Sequence, residues 1–337
     1  MINYNYPHRN VIVCMLLSLC IISISCSNKP TPVTTGLSDD YTASSLTFCE
    51  DSAYAYIEKQ CSYGPRTMNS QAHELCGNWI AEKFASFGLS VQSQYADGRL
   101  HDGTKIRMRN IIASYNPEAA SRIIISGHWD SRPWADNDPD ESLHNTAIDG
   151  ANDGASSIGV MLELARQLAL ASLCDTINKP TIGIDFICWD AEDAGTHGRF
   201  SSSTWCLGSQ YWAHNRHTKD YTARFGINLD MVGSARTVFC KEVISMQYAP
   251  TIVEKVWSIA EKAGYGKYFI DMDGGEVTDD HVPLCRSGIP CIDIIGVDME
   301  QGSFPTTWHT VSDTPANIYR PTLKAVGQTM LEVIYNL

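Results

Sequence analysis

Four short apolar segments of the sequence are each followed by side chains that could bind a metal ion or carry a proton. In chain order these side chains are His128, Asp130, Asp190, Glu192, Asp193, Asp230 and His309. Asp153 lies between the first segment and the helical pattern that follows it. No Cys-x-x-Cys pair occurs, so a cysteine-based metal site has no support. Imidazole nitrogen and carboxylate oxygen are the ligands of catalytic zinc, and the residue types therefore predict a zinc site with one open position.

Each of these residues, taken singly, also has an ordinary structural explanation. Asp153 precedes a helical pattern, where an aspartate commonly caps the helix N-terminus. Adjacent acids such as Glu192 and Asp193 are commonly solvated loop residues, and a single histidine such as His309 is commonly structural or exposed. The set favours the metal site, because chance would have to place suitable ligands after four separate segments.

Alternating strands and helices would position these residues. The apolar, β-branched segments that predict strands are 123–125, 181–189, 225–229 and 289–295. Apolar residues at helical spacing predict helices over 72–87, 158–168, 252–263 and 321–335. Such a pattern predicts an α/β fold, a single domain whose central, mostly parallel mixed sheet is covered by helices on both faces. Ligands of such sheets gather beyond the carboxyl ends of the strands, which is where the candidate residues lie.

The composition limits the classes of partner. The chain has 337 residues, 44% of them hydrophobic, and a net charge of −13 without any run rich in Lys and Arg. A surface of this charge repels nucleic acid, so we expect no nucleic-acid partner. The same charge mildly attracts a cationic ligand such as the free amine of a peptide, although an acidic surface often serves solubility alone.

The N-terminus has the layout of an export signal. His8 and Arg9 precede an apolar run over 11–24, which is too short to span a bilayer comfortably. Cys26 follows small residues, as in a bacterial lipoprotein signal, although Ser23 stands where such signals usually carry Leu. We expect a signal peptide over 1–25, a flexible Ser/Thr/Pro-rich tether over 26–46, and a catalytic domain over 47–337. The protein would then be periplasmic or anchored to a bacterial membrane through a lipid on Cys26; the alternative is plain signal cleavage beside an incidental cysteine.

Ten stretches of the sequence resemble one enzyme family, in family order. They include the segments 149–154 and 186–193 and the motifs Tyr-Gly-Pro-Arg (63–66), Arg-Asn-Ile-Ile-Ala (109–113), Gly-His-Trp-Asp-Ser (127–131), Leu-Gly-Ser (207–209), Leu-Asp-Met (229–231), Asp-Asp-His-Val-Pro (279–283), Gly-Ile-Pro (288–290) and Trp-His-Thr (308–310). The chain thus resembles the zinc aminopeptidase superfamily, and within it the animal-type glutaminyl cyclases and their bacterial relatives. This resemblance implies a zinc-aminopeptidase-like fold. It also implies the conversion of N-terminal glutamine, on peptides or proteins, to pyroglutamate with release of ammonia.

The resemblance also implies how the metal is held. Asp153, Asp193 and His309 match the three zinc ligands of the cyclases, which bind one zinc per chain. Asp193 is a departure, because these enzymes commonly carry Glu at this position. The shorter carboxylate of Asp193 can bind zinc if its loop moves closer to the metal.

The catalytic residues follow from the same matches. Glu192 matches the general acid/base, while Asp280 and Asp230 match buried acids of the catalytic hydrogen-bond network. Trp308 matches an aromatic wall of the substrate pocket. Asp293 stands where the animal cyclases carry a histidine, so that part of their network must differ here.

Two other functions compete with the cyclase. A two-zinc aminopeptidase would use five ligands, and all have counterparts in this sequence, namely His128, Asp153, Asp193, Asp230 and His309. Glu192 would then activate a water molecule between the metals to hydrolyse the first peptide bond. The cyclase is favoured because Trp308 and Asp279 stand where such aminopeptidases more often carry Tyr and Ser. The third possibility is an inactive peptide-binding domain, which the complete set of acids and histidines disfavours.

Overall fold

Residues 41–174, 179–197 and 201–337 are described by the structure, a computed structural model, and they belong to one compact unit. Its strands are β1 (Ser90–Arg99), β2 (Lys105–Tyr115), β3 (Arg122–His128), β4 (Gly183–Trp189), β5 (Gly226–Asp230), β6 (Thr237–Lys241), β7 (Phe269–Asp273), β8 (Cys291–Ile295) and β9 (Val297–Asp298). Its helices are α1 (Glu50–Cys61), α2 (Gln71–Ser86), α3 (Ala155–Ser172), α4 (Leu207–His214), α5 (Val243–Tyr248), α6 (Pro250–Lys262), α7 (His281–Arg286) and α8 (Arg320–Tyr335).

Six of the strands form the central sheet, in the order β1-β2-β4-β3-β5-β8. Strands β4, β3, β5 and β8 pair in parallel, whereas β1 pairs antiparallel with β2 and β2 antiparallel with β4. A smaller sheet has the order β7-β6-β9. The predicted α/β fold with a mixed sheet is therefore confirmed, and the four parallel strands are the four that the apolar segments predict.

The predicted elements differ from the observed ones only at their ends. Strand β4 begins at Gly183 rather than at 181, and β8 begins at Cys291 rather than at 289. Helices α2, α6 and α8 each begin one or two residues before the predicted start, and α3 contains the whole of the predicted span 158–168. Proline in the first turn of α6 and of α8 explains two of these starts, since it lacks the N–H that the first turn leaves unpaired.

Helices cover both faces of the central sheet, and successive apolar residues of a strand pack on opposite faces. Ile123 and Ile125 of β3 belong to the large core, to which α1, α2, α3, α6 and α8 contribute. Ile124, between them, belongs to a second core with Trp212 of α4 and Leu284 of α7. Successive side chains of a strand point to opposite faces, so a strand buried on both sides is apolar throughout.

The start of the domain differs from its predicted position. The predicted signal peptide over 1–25, Cys26 and the tether up to residue 40 lie outside the described residues. The last part of the predicted tether packs on α8, where the backbone N–H groups of Thr42 and Ser44 donate to Asn336 and Glu332, each at 2.7 Å. Leu46 is buried. The tether prediction is wrong for residues 42–46, because their backbone groups are paired with the domain. In the described part of the chain, none of the helices is both long and apolar enough to cross a bilayer.

Candidate active site

The candidate residues lie at the carboxyl ends of the parallel strands. His128 is the last residue of β3 and Asp230 the last of β5, while Glu192 and Asp193 follow the end of β4. Asp153 precedes α3, and His309 lies in the connection between β9 and α8. Parallel strands end at the same edge of a sheet, so residues far apart in the sequence become neighbours.

The structure brings together the three predicted zinc ligands. The ligand atoms of Asp153, Asp193 and His309 lie within 4.8 Å of one another, and all three residues are buried. Nε2 of His309 is 3.2 Å from Oδ1 of Asp193 and 3.7 Å from Oδ2 of Asp153. The ordinary explanation of Asp153 as a helix cap is excluded, because the N-cap position of α3 is Gly154, with φ 98°.

A second triad shares Asp153 with the first. Nε2 of His128 lies 2.9 Å from Oδ1 of Asp153 and 3.3 Å from Oδ1 of Asp230. The ligand atoms of these three buried residues also lie within 4.8 Å of one another. All five ligands that a two-zinc site would need are therefore gathered in one place.

The donor atoms of the two triads fit a zinc ion. In the described structure Asp193 Oδ2 is buried and forms no hydrogen bond, and the buried Nε2 of His128 lies between the carboxylates of Asp153 and Asp230. A buried polar atom without a partner is costly, and a bound cation would remove that cost. Imidazole nitrogens and carboxylate oxygens are also the donors that catalytic zinc takes.

Two further carboxylates hold the loops that carry the candidate ligands. Asp130 accepts the backbone N–H groups of Glu192 and Asp193, both at 3.1 Å. Asp313 accepts those of Asn152 and Asp153 at 2.8 and 3.0 Å. No sequence motif assigns either acid this supporting role. Asp130 could have been found from the sequence, because it lies two residues after the candidate ligand His128. Asp313 could not, because it is distant in sequence from the loop that it holds.

Glu192 is a buried carboxyl group at the pocket. Burial raises its pKa well above the usual value, and the charges of Asp193 and Asp279 raise it further, while His128 opposes the shift. The thiol of Cys206 donates to Oε1 at 3.2 Å. A carboxyl group in these surroundings is suited to taking up and releasing a proton.

The predicted network acids are buried close by. Burial raises the pKa of Asp280 well above its usual value, the charge of Asp279 adds to this, and the Ser209 hydroxyl donates to Oδ1. Burial likewise raises the pKa of Asp230. The side-chain amide of Asn228 donates to Asp279 at 2.9 Å and to Asp293 at 3.3 Å, and so joins these two acids.

Aromatic rings wall a pocket of about 240 Å³ above the candidate ligands. The ring of Trp308, the predicted wall, lies 3.9 Å from that of His309 and 4.7 Å from that of Phe304. The ring of Trp205 lies parallel to that of His309, within 10° and at 6.2 Å. Trp205 and Phe304 were not predicted, since neither lies in a motif or pattern that marks it in the sequence.

Comparison with known proteins identifies the family. Residues 110–334 match the model of peptidase family M28, which covers more than half of the chain. The chain belongs to peptidase family M28.

Solved structures include close relatives of this M28 protein. The glutaminyl cyclase of Bacteroides thetaiotaomicron is 52% identical, with a TM-score of 0.83 over 87% of this chain and 99% of that one. A leucine aminopeptidase precursor from the same organism is 50% identical, with a TM-score of 0.82 over 88% of this chain and 100% of that one. The zinc-aminopeptidase-like fold and the resemblance to bacterial glutaminyl cyclases are confirmed.

A curated relative from an animal is more distant. The glutaminyl-peptide cyclotransferase of Gloydius blomhoffii is 27% identical over 244 residues, which are 66% of this chain. The match spans 63% of that relative's length. The animal-type cyclases are therefore homologues of this chain, as the sequence motifs predict.

Proposed function

We propose that this M28 protein is a zinc-dependent glutaminyl-peptide cyclotransferase, which converts N-terminal glutamine of peptides or proteins to pyroglutamate. The observation that carries the proposal is the 52% identity to the Bacteroides thetaiotaomicron glutaminyl cyclase over 99% of that chain. The small pocket with aromatic walls supports it, because it suits a single side chain. The reaction releases ammonia and no free amino acid, so an ammonia assay run beside amino-acid analysis tests it.

The chemistry requires one nucleophile and one proton carrier. The α-amine of the substrate attacks the carbonyl carbon of its own side-chain amide, a C–N bond forms, and the bond to the amide nitrogen breaks. The Glu192 carboxylate accepts a proton from the attacking amine and delivers it to the leaving nitrogen, which departs as ammonia. The nucleophile and the electrophile belong to one molecule, so proximity supplies much of the rate.

Three residues would hold the metal in this proposal. Asp153, Asp193 and His309 would bind one zinc ion per chain, leaving a position open for the substrate. When bound, zinc supplies a Lewis acid that polarises a carbonyl oxygen.

The other predicted residues act around this centre. Asp280 and Asp230 are proposed to complete the buried hydrogen-bond network beside Glu192, and their burial keeps water from competing for its proton. Trp308, with Trp205 and Phe304, would pack on the methylene groups of the glutamine side chain. The acidic charge of the chain is in keeping with an amine-bearing substrate and disfavours nucleic acid.

A two-zinc aminopeptidase is the second candidate, and two observations favour it. The triad of His128, Asp153 and Asp230 has metal-ligand spacing. The leucine aminopeptidase precursor named above, 50% identical to this chain, points the same way. The cyclase remains the proposal because the glutaminyl cyclase is slightly more similar, at 52% against 50% identity. Trp308 and Asp279, where such aminopeptidases more often carry Tyr and Ser, also favour the cyclase.

The zinc content of purified protein separates these two candidates. We expect one zinc per chain after removal of loosely bound metal, because the cyclase needs only the triad of Asp153, Asp193 and His309. Elemental analysis of the protein against its absorbance at 280 nm gives the ratio. Two zinc ions per chain, one of them lost in His128→Ala, would contradict the one-zinc cyclase and favour the aminopeptidase.

We further propose that the protein is exported and carries a lipid anchor at Cys26. The support is the signal-like N-terminus, with an apolar run that ends in small residues before this cysteine. Cys26→Ser is expected to move the protein from the membrane fraction to the soluble fraction of an expressing bacterium, because the acyl chains supply the attachment. Immunoblotting of both fractions measures this, with Cys49→Ser as the control variant. Unchanged fractionation would show that Cys26 carries no lipid anchor and only lies beside a cleavage site.

A further inference from the structure

The buried Arg132 and the partly exposed Asp136 form an ion pair beside the candidate zinc site. Both residues lie in the connection between β3 and α3. Nε of Arg132 donates to Oδ1 of Asp136 at 2.7 Å, and Nη2 donates to Oδ2 at 2.6 Å. Arg132 is only 1% exposed. This paired geometry fixes the guanidinium plane and the carboxylate relative to each other.

Each member of the pair reaches a different candidate ligand. Nη1 of Arg132 donates to the backbone carbonyl of Asp193 at 3.0 Å and to its Oδ1 at 3.3 Å. The same nitrogen donates to the carbonyl of Gly195 at 3.3 Å. Oδ1 of Asp136 lies 3.3 Å from Nδ1 of His309, whose other ring nitrogen is the one near Asp193 and Asp153. The pair thus contacts two of the three candidate ligands, Asp193 through Arg132 and His309 through Asp136.

Asp193 gives this arrangement a particular importance. Its side chain is short, so the position of its loop decides how closely the carboxylate can approach a metal. Arg132 ties that loop at two carbonyl groups, of Asp193 and Gly195, and contacts the carboxylate itself. Asp136 is placed to fix the orientation of the His309 ring from the opposite nitrogen. Partners of this kind orient metal ligands.

We propose that Arg132 and Asp136 are positioning residues that set the zinc affinity of this site, Arg132 through Asp193 and Asp136 through His309. The inference rests on the proposed zinc site. Loss of such outer partners typically weakens metal binding by about 10- to 100-fold. Arg132→Gln and Asp136→Asn are therefore each expected to raise the zinc dissociation constant by about that factor.

Competition with a chromophoric zinc chelator measures the dissociation constant, and the visible absorption of the cobalt-substituted protein reports the ligand geometry. Both readouts are independent of turnover. We expect a changed cobalt spectrum in Arg132→Gln and in Asp136→Asn, because in each variant one metal ligand loses its fixed orientation. Asp136→Glu, which keeps the charge, is expected to retain more zinc affinity than Asp136→Asn.

The matched control is a second Arg–Asp pair, Arg122 and Asp185, with the same paired geometry at 2.6 and 2.9 Å. Neither residue lines the pocket. Arg122→Gln is expected to lower the melting temperature and leave zinc affinity and the cobalt spectrum unchanged. The inference is overturned if folded Arg132→Gln and Asp136→Asn bind zinc as tightly as the wild type, or if Arg122→Gln weakens zinc binding equally. Failure of the proposed function would look different, because the wild-type protein would then form no pyroglutamate.

Discussion

Glu192→Gln is expected to keep its zinc while turnover of a peptide with N-terminal glutamine falls by about 10²- to 10⁴-fold, the usual contribution of a general acid/base. Glutamine has nearly the shape of glutamate but neither accepts nor releases a proton at neutral pH. Glu192 is buried beside Asp193, and its backbone N–H is held by Asp130, so the replacement should leave the loop in place. The rate should therefore fall through the lost proton transfer alone.

Steady-state kinetics and zinc analysis on the same preparation measure both parts of this expectation. Glu163→Gln is the control, because Glu163 is a buried glutamate that contacts Cys49, Arg166 and Gln167 rather than the pocket. It should change stability without changing kcat. If Glu192→Gln loses its zinc together with its activity, Glu192 is a ligand rather than the proton carrier.

Replacing Asp153, Asp193 or His309 by alanine is expected to abolish turnover and to lower zinc affinity sharply. A site with three protein ligands cannot lose one and keep the same metal affinity or geometry. All three residues are buried with their ligand atoms within 4.8 Å of one another, so each alanine removes one donor from a closed set of three. Zinc analysis after dialysis, together with kinetics, measures the loss.

The second triad supplies the comparison for these alanine variants. His128→Ala is expected to retain zinc, because His128 belongs to the second triad and not to the predicted ligand set. Circular dichroism of each variant separates loss of metal from loss of fold. Full zinc content and normal activity in Asp153→Ala, Asp193→Ala or His309→Ala would show that the ligand assignment is incorrect.

The sequence predicted the four parallel strands, which are buried on both sides, but not β2, which is also largely buried. Strands such as β3 are apolar throughout because both faces are covered, and this leaves a clear signal. Strand β1 was missed because it is an edge strand in which nearly every residue is at least partly exposed. The polar composition of residues 42–46 predicts a tether, whereas their pairing with α8 depends on contacts with residues nearly 300 positions away.

The candidate site likewise contains residues that the sequence could predict and residues that it could not. Residues that follow strand ends, such as Asp230 and Glu192, were predictable because the sheet brings parallel strand ends together. Asp313 and Asp136 were not, since each acts on a loop that is distant in sequence. No local pattern distinguishes such a supporting residue from a solvated acid. The pocket ring of Trp205 was missed for the same reason.

The most direct test of the account compares the products from two short peptides that differ only in their first residue. With N-terminal glutamine, mass spectrometry should show the loss of one ammonia with all residues retained, and the peptide with N-terminal leucine should be unchanged. In the proposed reaction the substrate's own amine is the nucleophile, so the first peptide bond is left intact. Free leucine from the second peptide, with the glutamine peptide uncyclised, would contradict the cyclase and assign His128 and Asp230 to a second metal.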